Sequence, residues 1–146
     1  MTPLPIADAV ALALAPIFLL AGIGAILNVM TQRLGRVVDR ARIIEDFLDE
    51  GESEERRARH RTELKYLDVR ISAANRAIFA TSLAALLICF VVALLFLEEL
   101  FSFRVGTIIA ALFIITMVSL TVGLVFFLVE IFVANRSLKI RPDLLG

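Results

Sequence analysis

Cysteine and histidine each occur once in this 146-residue chain. The single cysteine, Cys89, excludes a disulfide within the chain. It stands in the middle of an apolar run, where nothing activates a thiol, so it reads as a small packing residue. The single histidine, His60, has no Cys, His or carboxylate near it at metal-ligand spacing. Neither a phosphate loop nor a serine elbow is present. These shortages leave no catalytic residue, no cofactor site and no metal site to nominate, and the chain is not expected to be an enzyme. The run Arg56-Arg57-Ala58-Arg59-His60-Arg61 lacks interleaved aromatics and is flanked by acids, which argues against nucleic acid as a partner.

Charge is missing as well, from three long stretches. Residues Ala9 to Met30, Ala77 to Leu97 and Val105 to Val129 contain no Asp, Glu, Lys or Arg over 22, 21 and 25 positions. Crossing the hydrocarbon layer takes roughly 20 helical residues. The expected fold is therefore all-α and integral to a membrane, a single domain over 1–146 with transmembrane helices at about 9–30, 77–97 and 105–129. Pro16 falls inside the first of these and is expected to kink it, which membrane helices tolerate where neighbours satisfy the freed carbonyl. Pro3 and Pro5 keep the first residues irregular.

Basic residues are nearly absent from one side. Eleven of the 15 lie between Thr31 and Arg76, and Arg136, Lys139 and Arg141 follow the third run, whereas the first ten residues hold none and the 98–104 loop only Arg104. The bias of Lys and Arg toward the cytoplasmic side predicts an outside N-terminus, with the 31–76 segment and the 131–146 tail in the cytoplasm. A cleaved signal peptide wants a basic leader and a shorter apolar core. Here the basic cluster follows the run, so an uncleaved anchor is expected.

The 46 residues from Thr31 to Arg76 include 21 charged ones, a density that would suit disorder. The apolar spacing predicts otherwise. Leu27, Met30, Leu34, Val37, Ala41, Ile44 and Leu48 advance by alternating steps of three and four, and Leu64, Leu67, Ile71, Ala74 and Ile78 do the same. Between the two series, Gly51 can close one helix and Ser53 can cap the next, with Glu54 and Glu55 in its acidic first turn. Folding back about this turn pairs Ala41 with Leu64, Val37 with Leu67, Leu34 with Ile71, Met30 with Ala74 and Leu27 with Ile78. The first two transmembrane helices are thus expected to leave the bilayer as one antiparallel coiled-coil hairpin. Its membrane-proximal arginines, Arg33, Arg36 and Arg40, are candidate contacts for anionic lipid headgroups. Its acidic tip is a candidate contact for a cytoplasmic protein partner.

Polar residues at the ends of the apolar runs form a candidate cluster of Asn28, Asn75, Arg76 and Glu130, where an ionisable group points to function or to pairing. Glu130 is either a carboxylate lining an ion path or a pin that pairs with Arg76 or takes hydrogen bonds from the asparagines. Ala21, Gly24 and Ala25 on the first span, with Ser119 and Gly123 on the third, are candidate helix-packing faces.

Several blocks together resemble a known family. Pro16 through Val29 (PIFLLAGIGAILNV), Arg33 through Arg42 (RLGRVVDRAR), Asn75-Arg76-Ala77-Ile78, Leu112-Phe113-Ile114 with Met117, and Phe127-Leu128-Val129-Glu130-Ile131 are similar to a small bacterial membrane family, domain of unknown function 2721. The resemblance covers nearly the whole chain and implies a bacterial inner-membrane protein of one domain. It brings no activity with it. Two function classes follow from the residues. One is a homo-oligomeric scaffold or regulatory subunit using its hairpin for partner contact. The other is a homo-oligomeric ion channel with Asn28, Glu130 and Arg76 near the cytoplasmic mouth.

Overall fold

A computed structural model describes residues 6–49, 53–101 and 104–137. The expectations for Pro3 and Pro5, for the Gly51 turn and for the tail from residue 138 lie outside these. Three α-helices account for the fold: α1 (Ile6–Asp49), α2 (Glu54–Phe101) and α3 (Gly106–Ser137). No strand occurs among the described residues. All three helices contain a segment long and apolar enough to cross a membrane.

Local chemistry sets the helix boundaries. The carbonyl of Ser53 accepts the first backbone bond of α2, from Arg57 N–H at 3.0 Å, and Glu54 and Glu55 fill the first turn. Acids there favour the positive end of the helix dipole. Val105 plays the same part for α3, its carbonyl accepting from Ile108 and Ile109. α1 runs unbroken through the buried Pro16.

Helix α2 is the middle element and packs on both neighbours. Its buried stripe, Ala74, Ala77, Thr81, Ala84, Ile88 and Val91, repeats at steps of three and four. Near the centre of the apolar segments, Ile23 of α1 and Leu120 of α3 close on Ala84 and Ile88. The register of α3 along α2 runs without slippage. Ser119 Oγ donates to Ala80 O at 2.8 Å, and Gly123 faces Ala77 and Thr81. Seven residues further along α3, Glu130 meets Arg70, seven back from Ala77.

Toward the 49/53 end the packing changes character. Val37, Ala41, Ile44 and Leu67 form a second core, flanked by Leu48, Leu64 and Ile71. Arg40 donates to Glu63 at 2.9 Å beside it. Higher numbers on α1 therefore face lower numbers on α2, and the two helices run antiparallel. At 1.5 Å per residue, α1 and α2 are about 66 and 72 Å long, against roughly 30 Å for a bilayer's hydrocarbon core.

Candidate functional site

One carboxylate joins all three helices. Glu130 lies on the buried stripe of α3 that runs through Thr116, Leu120 and Gly123 at steps of four, three and seven and continues to Ala134, and it is 1% exposed. A carboxylate removed from water needs charge and hydrogen bonds to replace its hydration. Arg70 of α2 supplies both, donating to Oε1 from Nη2 at 2.8 Å and from Nε at 3.2 Å. Arg33 of α1 brings Nη2 to 3.1 Å from Oε2. That contact is an ion pair whose angle makes no hydrogen bond, so Oε2 accepts none among the described residues. Arg33 also lies over the Phe127 ring, 5.7 Å from its centroid. Phe127 is three residues before Glu130 and so shares its face of α3.

Placement on a stripe explains the meeting. Arg70 lies four and seven residues before Ala74 and Ala77, so it continues the buried face of α2. Arg33 sits between Met30 and Val37 at the same three–four spacing on α1. Each helix thus brings one ionisable residue of its packing face to the same level.

The expected cluster does not assemble as drawn from the sequence. Glu130 pairs with Arg70 and Arg33; Arg76 and the two asparagines are not among its described partners. Arg76 turns to the opposite side, its guanidinium 5.9 Å from the centroid of Phe126. Asn75 and Arg76 stand at one end of an apolar groove of about 510 Å³ between α2 and α3, continued by Phe79, Leu83, Val122 and Phe126. Asn28 is exposed on α1, where its Oδ1 accepts from Gln32 Nε2 at 3.2 Å. Depth along the helix was readable in the sequence, but rotation was not. Six residues separate Arg70 from Arg76, which is about 240° around a helix.

The small-residue faces also part company. Ser119 and Gly123 press against α2 so closely that a Cβ at Gly123 would collide with Thr81 Oγ1 and stand 3.1 Å from Ala77 O and Thr81 N. Ala21, Gly24 and Ala25 are exposed, and nothing lies within 4 Å of a Cβ built on Gly24. His60 stacks on Phe47 with ring centroids 6.1 Å apart. Arg33, Arg36 and Arg40, with Arg70, surround a pocket of about 290 Å³ floored by Val37 and Leu67.

The described residues form three helices, each with a segment long and apolar enough to cross a membrane, joined by a buried Glu–Arg node just past the uncharged runs. Residues 13–140 match the family model described as Protein of unknown function (DUF2721), and the chain belongs to that family. Comparison with curated proteins and with solved structures returned no match.

Proposed function

We propose that this protein is a non-enzymatic, multi-pass scaffold or regulatory subunit of the bacterial inner membrane. Its N-terminus is outside, and α1 and α2 continue into the cytoplasm as a helical hairpin that contacts a protein partner. The observation that carries this reading is the length of the packed α1–α2 pair. Its two helices exceed the hydrocarbon thickness by about 36 and 42 Å, and an apolar core of Val37, Ala41, Ile44 and Leu67 keeps them together beyond the apolar segments. A rigid rod of that length transmits position from membrane to cytosol. Ile43, Phe47, Tyr66 and Val69 remain exposed on the arms, apolar surface available to a partner. Exposed large side chains along the apolar segments, Phe18, Phe79 and Ile114 among them, suit a lipid environment. The uncovered face of Ala21, Gly24 and Ala25 supports self-association through close helix approach.

The channel alternative draws on the exposed Asn28 and Arg76. It loses its carboxylate, because Glu130 is enclosed and held by two arginines.

Replacing residues 43–60 by a short Gly/Ser turn tests the scaffold. The shortened protein should still insert and keep its oligomeric mass in detergent, while a defined partner co-purifying with the full chain is lost. An unchanged set of co-purifying proteins counts against partner contact. A monomeric full-length chain in both detergent and lipid counts against self-association.

A further inference from the structure

The geometry points to a phosphate-binding site in the pocket between α1 and α2, taking the head group of an anionic phospholipid from the cytoplasmic leaflet. Four guanidinium groups line it, from Arg33, Arg36, Arg40 and Arg70. Two carboxylates answer them: Glu130 holds Arg33 and Arg70, and Glu63 holds Arg40. Arg36 makes no ion pair among the described residues, so the pocket carries two positive charges in excess. Glu130 fixes Arg33 and Arg70 in place, which pre-organises half of the arginine ring before any ligand arrives. Guanidinium groups present paired N–H donors matched to phosphate oxygens.

Depth selects the ligand. Glu130 immediately follows the uncharged run 105–129, so in the membrane placement proposed above the Glu130–Arg33–Arg70 node lies where the hydrocarbon ends. The pocket opens from there toward Arg36 and Arg40, one and two helical turns further on, at head-group level. Basic residues scattered over a surface attract anionic lipid diffusely. A concave site of about 290 Å³ with a floor of Val37 and Leu67 binds one group saturably. The chemistry recognised is a phosphate, whether it arrives on a lipid or free in the cytosol. This inference rests on the membrane placement but not on the scaffold role.

The test uses the full-length protein in a neutral maltoside detergent and follows its thermal unfolding. Phosphatidylglycerol is titrated in mixed micelles, with phosphatidylcholine, whose phosphate is balanced by its own quaternary ammonium, as the net-neutral comparison and inorganic phosphate as a separate arm; an equal rise with phosphatidylcholine overturns selection of an anionic head group. Phosphatidylglycerol should raise the Tm saturably, and R36Q/R40Q should need roughly thirtyfold more lipid for the same rise. R42Q/R59Q removes two exposed arginines outside the pocket and should titrate like the native chain. If R36Q/R40Q fails to fold, R36Q alone serves, since Arg36 is exposed and supports no ion pair among the described residues. A saturable, R36Q-sensitive rise with inorganic phosphate alone identifies the free anion as the ligand of the same site. No rise with either probe overturns the site, as does equal weakening by R36Q/R40Q and R42Q/R59Q. Oligomeric mass measured in the same detergent keeps this outcome separate from the fate of the scaffold reading.

Discussion

The two ends of the α2 helix are packed by different means. In the apolar segments α2 buries four alanines, Ala73, Ala77, Ala80 and Ala84, with Gly123 and Ser119 of α3 close against Ala77 and Ala80, beside a central cluster of Ile23, Ile88 and Leu120. In the arms the buried groups are the larger Val37, Ile44 and Leu67, backed by Leu64 and Ile71 and fenced by Arg40–Glu63. The contrast follows from the solvent each end is suited to. Lipid tails are as apolar as leucine, so helices in a bilayer gain from close backbone approach and interhelical hydrogen bonds. In water, removal of large aliphatic side chains from solvent does the work. The Glu130–Arg70–Arg33 node stands where one regime gives way to the other.

Five substitutions sharpen or break this contrast. E130Q should have the largest effect because it leaves two arginines facing a neutral amide at the junction of all three helices. A loss of about 3 kcal/mol is expected, the low end for a broken buried pair, since both arginines keep some solvent contact. Thermal unfolding in detergent reads it, and an unchanged Tm would show that the node does not hold the bundle. L67A should cost about 2 kcal/mol or more through the cavity it opens. Its damage should stay local, with faster tryptic cleavage in the arms and an unaltered apolar bundle. If both regions loosen equally, the two ends are one cooperative unit.

G123A comes next. The added methyl meets backbone atoms of Ala77 and Thr81, so α3 must move away from α2 at a cost of about 1–3 kcal/mol. G24A is its counterpart. Nothing stands near that position, so the chain's own stability should hold or rise slightly. A drop in oligomeric mass for G24A with unchanged Tm would assign the face to self-association. R40Q should cost less than about 1 kcal/mol, because its pair with Glu63 is largely solvated. A larger loss would mean that the arms depend on charge rather than on Leu67 and its neighbours.

Several of these residues could be found without coordinates. The steps of three and four through Met30, Val37, Ala41 and Ile44 identify the α1 face that is buried, because the period of a helix is a local property. Ser119 and Gly123 stand out as small residues four apart. Arg70 was overlooked, although its spacing from Ala74 and Ala77 marks it as part of the same stripe. Searching for Glu130's partner by depth led to Arg76, which shares the level but not the face. Arg33 and Arg70 stand next to the seam residues Leu34 and Ile71, so the seam fixes their depth but not that they face α3.

Chain length, uncharged runs and helical period by themselves determined three helices, the apolar portion of each, and the segregation of positive charge to one side. All are set by residues near one another along the chain. Which arginine reaches Glu130, and which small face is used within the chain, only the tertiary structure decided. The rotation of each helix about its own axis depends on its neighbours, and the close approach of Gly123 to Ala77 and Thr81 turns that face of α3 toward α2.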